Sequence, residues 1–169
     1  MNTDAPHTEA LSFRTPELGD GAAVYELVKH SPPLDLNSRY CYLLLCDHFN
    51  TTCIVAEHLS QIVGFISSYP HPKKPATLFV WQVAVAEAMR GRGVADAMLD
   101  RILQDGAPWA SCIETTVTPS NRASLRFFQS FADTRGATCH RRSYLTGDLF
   151  GAGTHEEEIL LRIGPLNAA

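Results

Sequence analysis

The run Val83-Ala84-Val85-Ala86-Glu87-Ala88-Met89-Arg90-Gly91-Arg92-Gly93-Val94-Ala95 joins a β-branched segment to an amphipathic one. Two glycines and an alanine keep side chains away from an approaching anion. The free N–H groups of the first helical turn then point at that anion, and the helix dipole favours its charge. Arg90 and Arg92 add positive charge beside the same turn. The chemistry this suits is a pyrophosphate; a glycine-rich helix start without a ligand is the plain alternative. Two other phosphate motifs fail. No Lys follows the glycines, so there is no GxxxxGK[ST] loop. Gly91 and Gly93 begin a GxGxxG, but its last position is Asp96, whose charge would repel a dinucleotide phosphate. Cys46, His48 and Cys53 are zinc-ligand types without a fourth partner at a usual spacing, so no metal is expected. No GxSxG is present for a nucleophile elbow.

The elements that must hold this turn follow from periodicity and breakers. Residues 11–14 alternate and suit a first strand. Asp20 can cap a helix to about His30, with Val24, Leu27 and Val28 on one face, and Pro32 and Pro33 stop it. Asp35 and Asn37 offer the next cap, for a second helix ending near Asn50. Residues 52–57 and 62–69 read as strands around a short turn, and 78–85 as a central strand. After the glycine turn comes a helix burying Val94, Ala97, Met98 and Ile102. A strand at 112–117 follows, then a helix from Asn121 with Ala123, Phe127, Phe128 and Phe131 as its apolar side. Strands at 138–145 and 157–163 close the chain around a Gly-rich connection at 147–153. The order is β-α-α-β-β-β-α-β-α-β-β. One domain spans 10–163, between a frayed, polar 1–9 and a tail at 164–169.

Composition agrees with one folded domain. Of 169 residues, 45% are apolar and 19% charged, which excludes a disordered chain. Fourteen basic against eighteen acidic residues leave a net charge of −4, so no nucleic-acid partner is expected. Five cysteines, an odd number without a CxxC pair, point to a reduced, cytoplasmic setting. MNTDAPHTEA has no positive n-region or apolar h-region, and no apolar run approaches the roughly 20 residues of a membrane helix.

The spacing Arg90-x-x-Gly93-x-Ala95, between a strand and a helix, resembles the [RQ]xxGx[GA] signature of the GNAT N-acetyltransferases. A second feature of that family is a strand followed by an Asn and an aromatic helix. Here it reads Glu114-Thr115-Thr116-Val117-Thr118-Pro119-Ser120-Asn121, then 123–131. The resemblance implies an α+β fold: an α/β/α sandwich with a mixed central sheet of about six or seven strands and about four helices. In that family the turn holds the pyrophosphate of acetyl-CoA, which implies contacts from Arg90, Gly91, Arg92, Gly93, Val94 and Ala95. It also sets the backbone of Val83 and Val85, on a bulged strand, against the pantetheine arm, and adds Asn121 and Ser124 to the cofactor site. One departure matters. Many members carry a Tyr in the second helix as the acid for the departing thiolate. Aligned on Asn121, that place is Phe128. The nearest hydroxyl is Ser124, and the acid stays open between water and a group elsewhere.

A narrower likeness covers nearly the whole chain. Phe13-Arg14-Thr15-Pro16, Asp20-Gly21, the stretch LDLNSRYCYLLL at 34–45, Cys53-Ile54-Val55-Ala56-Glu57 and Val80-Trp81-Gln82-Val83-Ala84-Val85 are similar to the diaminobutyrate acetyltransferases of ectoine biosynthesis. This implies acetyl transfer from acetyl-CoA to the 4-amino group of L-2,4-diaminobutyrate, by a homodimer. The same chemistry on another small amine or a protein N-terminus stays open. So does a non-catalytic CoA-binding module, which the missing tyrosine would fit.

Such a substrate carries one carboxylate and two ammonium groups. Its site needs acids near the α-ammonium, donors near the carboxylate, and a base for the attacking amine. Candidate acids are Asp35, Glu57, Glu114 and the run Glu156–Glu158. Asp35, in a Pro-flanked loop, reads as a substrate ligand and catalytic carboxylate, or as an Asx turn or cap; Asn37 reads as the cap. Tyr40 faces the substrate or packs in the core. Glu57 and Glu114 lie in strands, where an acid usually faces solvent. The family's last strand borders the amine pocket, which implies Glu158 as ligand or base and His155 beside it; a solvated charge run is the plain reading. Trp81 offers a cation–π contact of about 1 kcal/mol, or is core. Gln82 falls on the opposite face from Trp81 and is set aside.

Overall fold

Alternating apolar side chains build one mixed sheet, seen in a computed structural model that describes residues 11–151 and 155–166. The strands are β1 (Ser12–Arg14), β2 (Ile54–His58), β3 (Gln61–Pro70), β4 (Thr77–Val85), β5 (Cys112–Val117), β6 (Thr138–Leu145) and β7 (Glu158–Gly164). Their spatial order is β1-β2-β3-β4-β5-β7-β6. Only β4 and β5 pair in parallel; the other neighbours are antiparallel. Among the described residues the α-helices are α1 (Gly21–Lys29), α2 (Arg39–Asp47), α3 (Val94–Arg101) and α4 (Arg122–Thr134).

The period of two sends successive β2 side chains to opposite sides. Ile54 and Ala56 join a core with α3 and α4, whereas Val55 packs with α1 and α2. The sheet is therefore a middle layer between two helix pairs, the α/β/α sandwich expected from the resemblance. The element order matches the expected one. The expected frayed segment 1–9, part of the Gly-rich connection and the end of the tail lie outside the described residues. Gly164, placed in the tail from sequence, is the last residue of β7.

The sheet opens at its centre. β4 pairs with β5 only through Thr77, Leu78 and Phe79, yet β4 continues to Val85 and β5 to Val117. Past Phe79 the two strands separate. The β4 backbone beyond that point has no β5 partner, and it borders a cleft.

A bulge in β4 resets which side chains face which layer. Ser67 of β3 opposes Gln82 while Ser68 opposes Val80, so Trp81 is the extra residue. One extra residue inverts the alternation downstream. Leu78 and Val80 pack with α3 and α4, and after the bulge it is Val83 and Val85 that do so. Ala84 turns to the α1–α2 side.

Caps differ from expectation in two places. Asp20 precedes α1 but makes no side-chain cap to it. Its carboxylate instead accepts from the Glu17 N–H at 2.7 Å and pairs with Arg14 at 2.7 Å. Ser38 caps α2, accepting from the Cys41 N–H at 3.2 Å, so neither Asp35 nor Asn37 does. α2 also ends at Asp47, and a separate 3₁₀ turn holds Asn50–Thr52. α4 starts as expected: the Asn121 side chain accepts from the Ser124 N–H at 3.1 Å. Its inward face carries Phe128, Phe131 and Ala132, while Ala123 is exposed.

Glu114, expected on a solvent face, is only 2% exposed. Its burial is possible because Lys74 donates to both carboxylate oxygens (2.9 and 2.6 Å) and Arg162 to one (2.7 Å). Burial pushes its carboxyl up, but these two cations outweigh it and hold the pKa below the usual carboxylate range. Its contribution to stability is therefore present at neutral pH and lost as pH falls through that lowered value. Glu114→Ala would strand two cations, but both are partly exposed and can turn to water. We expect a loss of about 1–3 kcal/mol, read as a lower melting temperature, shrinking towards acid pH.

Candidate active site

The glycine turn has the backbone its sequence requires. Gly91 and Gly93 sit at φ +71° and +75°, a backbone region open to glycine and costly for other L-residues. Gly93 is the N-cap of α3, so the free N–H groups of Val94 and Ala95 face outward from the helix start. Val83, Val85, Arg90, Gly91, Gly93, Val94, Ala95, Asn121 and Ser124 all line one cavity of about 320 Å³. The Arg90 Nε donates to the Val85 carbonyl at 3.0 Å, tying the turn to the end of β4. Arg92 is exposed and does not line this cavity. Asp96 does line it, and burial raises its carboxyl.

A second pocket of about 390 Å³ lies where β4 and β5 part. Pro33, Leu34 and Asn121 line both cavities, so the two meet at these residues. The second pocket brings together Asp35, Trp81, His155 and Glu158, from a loop, the β4 bulge and the start of β7. His155 Nε2 lies 3.2 Å from Asp35 Oδ2, and its ring stacks on Phe150 with centroids 3.9 Å apart. Donor atoms of Asp35, His155 and Glu158 lie within 4.8 Å of one another. Such a set can hold a cation. Two acids flanking an imidazole suit an organic ammonium as well as a metal, and an indole wall at Trp81 favours the ammonium.

The charges are tuned. Burial raises the Glu158 carboxyl above the ordinary carboxylate range, against Thr116 and His155, which lower it. The His155 pKa is raised, first by the Glu156 carbonyl at its Nδ1 and then by Asp35. A raised histidine keeps its pairing with Asp35 at lower pH and loses it as pH rises through that value. Glu156 accepts from the Ser120 N–H at 3.2 Å and so fixes the approach to β7 against the start of α4.

Comparison with known proteins identifies the family. Residues 21–132 match the acetyltransferase (GNAT) family. This chain belongs to the GNAT acetyltransferase family. The L-2,4-diaminobutyric acid acetyltransferase of Bordetella parapertussis is 47% identical over 155 residues, covering 90% of this chain and 83% of that protein. The one from Streptomyces coelicolor is 44% identical over 163 residues, covering 94% and 95%. A solved structure of the diaminobutyrate acetyltransferase EctA from Paenibacillus lautus, in complex with L-2,4-diaminobutyric acid and coenzyme A, aligns at TM-score 0.88 and 46% identity. It covers 92% of this chain and 95% of that one.

Within this GNAT acetyltransferase, four of the five residues expected at the amine site converge. Tyr40 does not. It is 68% exposed on α2 and lines neither cavity. The tyrosine that α2 turns inward is Tyr42, fully buried against Phe65. Glu57 lies away from the site, paired with Arg14 at 2.9 Å. Phe128 is buried in the core at 2% exposure and offers no hydroxyl, while Ser124 faces the first cavity. Gln82, set aside from sequence, lines the second pocket at 5% exposure. No spacing pattern marks the bulge that puts it there. Thr116 also lines this pocket.

Proposed function

We propose that this enzyme transfers the acetyl group of acetyl-CoA to the 4-amino group of L-2,4-diaminobutyrate, giving N4-acetyl-L-2,4-diaminobutyrate for ectoine synthesis. The observation that carries it is the junction of two cavities. One is a glycine-rich anion turn, the other an ammonium-suited pocket, and they meet at Pro33, Leu34 and Asn121. Relatives 39–47% identical over most of the chain are diaminobutyric acid acetyltransferases, and EctA binds that diamine with coenzyme A.

In this reading the pyrophosphate rests on the N–H groups from Gly91 to Ala95, with Arg90 and Arg92 supplying positive charge. The pantetheine arm runs along the β4 backbone at Val83 and Val85, on the side that β5 leaves open. That brings the thioester to the junction, where a β4 N–H polarises its oxygen. Asn121 and Ser124 wall the cofactor at the start of α4. Trp81 and Asp35 hold the α-ammonium, with His155 set beside Asp35 in the same pocket.

Glu158 removes the proton of the 4-ammonium. An alkyl ammonium has a pKa of about 10, far above an ordinary carboxylate, and the raised Glu158 narrows that gap. The neutral nitrogen attacks the thioester carbon. The carbon–sulfur bond then breaks; the nitrogen sheds its second proton as it becomes an amide, and that proton reaches the thiolate through water or Ser124, since Phe128 has none to give. The products are the amide, free CoA and one proton left on the base for release.

We also infer a cytoplasmic homodimer. No helix among the described residues is long and apolar enough to cross a membrane. All five cysteines are unpaired, which suits a reducing setting. Tyr40, Leu43 and Phe49 leave apolar surface on and beside α2 that a second copy would cover; sedimentation at assay concentration tests it. The function itself is tested by product structure. Magnetic resonance of the reaction mixture should place the acetyl group on N4. Acetyl on N2, or on a peptide N-terminus in preference to the diamine, would overturn the assignment.

A further inference from the structure

Asp35 carries its carboxylate on a loop with little to hold it. The side chain is 79% exposed, and among the described residues its one ion pair is with His155. Yet the acid must sit in a fixed place if it is to bind an ammonium, because a charge that wanders binds weakly.

The loop backbone is held from beneath. Gln82 Nε2 donates to the Asp35 carbonyl at 2.7 Å. Tyr42 Oη donates to Gln82 Oε1 at 3.2 Å and accepts from the Asn37 N–H at 3.2 Å. Residues 35 and 37 are thus pinned on both sides of Leu36 by one connected set of bonds. The amide orientation is forced: flipped, Gln82 would set two oxygens against each other at Asp35. Both side chains are buried, Gln82 at 5% exposure and Tyr42 at 0%. Tyr42 is further wedged edge-on between Tyr25 and Phe65, with centroids 6.1 and 6.5 Å away. The Gln82 N–H faces the buried Ser67 hydroxyl at 3.2 Å, which anchors the strand itself.

The bulge makes this clamp possible. Without the extra residue at Trp81, Gln82 would share the face of Leu78 and Val80 and point toward α3 and α4. With it, Trp81 walls the pocket and the next residue grips the loop that carries Asp35.

We propose that Gln82, backed by Tyr42, is a positioning residue that sets the Asp35 carboxylate for the diamine. This rests on the diaminobutyrate reading above. Neither side chain needs to touch the substrate; both act through the Asp35 loop. The selectivity of the effect follows from the topology, because the glycine turn that takes the cofactor lies at the other end of the joined cavities.

The test uses Gln82→Met, which keeps volume and removes both bonds, and Tyr42→Phe, which removes only the hydroxyl. Thiol release is followed while each substrate is varied in turn. In Gln82→Met the KM for L-2,4-diaminobutyrate should rise about tenfold or more, with the KM for acetyl-CoA unchanged. Tyr42→Phe should do the same to a smaller degree. In an Asp35→Ala background, either change should add little, since the clamp acts through that side chain. Equal rises in both KM values, or full additivity with Asp35→Ala, would overturn the clamp while leaving the substrate reading intact. Wild-type enzyme that turns over other amines and ignores diaminobutyrate would overturn the substrate reading, and the clamp with it. Should Gln82→Met fail to fold, Tyr42→Phe alone and with Asp35→Ala decides the question.

Discussion

Glu158→Gln lowers kcat with L-2,4-diaminobutyrate by about 10²–10⁴-fold, the usual range for removing a positioned general base. The amide keeps the shape and the Thr116 neighbourhood but cannot accept a proton at working pH. KM for acetyl-CoA should hold, because Glu158 lines only the second cavity. The pH profile carries the sharper signature. With Glu158 as the proposed base, activity needs its ionised carboxylate, and burial raises its pKa. In wild type, kcat/KM should therefore fall with acid from a point above the ordinary carboxylate range. In the variant that limb should disappear, leaving a low, flatter profile. A variant that kept its acid limb would assign the base elsewhere. One that kept full kcat would remove Glu158 from the chemistry.

Gly93→Val acts at the other end. At φ +75° a β-branched side chain adopts a strained backbone, costing about 1–2 kcal/mol or somewhat more. A Cβ there meets no protein atom within 4 Å, so the chain itself leaves room for it. The room borders the cofactor cavity. We expect the KM for acetyl-CoA to rise at least about tenfold, with a modest fall in melting temperature and little change in KM for the amine. Thermal melts with and without CoA separate the two effects: the variant should lose most of the CoA-induced shift. A full CoA shift in a destabilised variant would mean the turn supports the fold without contacting the cofactor.

Much of this site was legible in the sequence. Arg90, Gly91 and Gly93 announce an anion turn because few other needs put two glycines between a strand and a helix. The alternation of β2 and the aromatic face of α4 fix the layers they pack into. Asp35, Trp81, His155 and Glu158 were found by chemical type and by family likeness, and they converge.

What failed to show had physical reasons. Tyr40 and Tyr42 lie two positions apart on a helix, about 200° around its axis. Both can head an apolar stripe in α2, and only the tertiary position of α1 and Phe65 decides that Tyr42 faces inward. Gln82 was hidden because the family likeness implies a bulged strand without placing its extra residue, and alternation alone sets Gln82 opposite Trp81. Glu114 reads as a solvent-facing strand acid until Lys74, distant in sequence, and Arg162 on β7 are seen to surround it.

The most direct test is the rate of free-thiol release from acetyl-CoA with L-2,4-diaminobutyrate, beside its one-carbon-shorter and one-carbon-longer homologues. A clear preference in kcat/KM for diaminobutyrate is expected, since the proposed roles have Asp35 hold one nitrogen while Glu158 deprotonates the other. Equal rates across the three diamines, or no release with any of them, would contradict it.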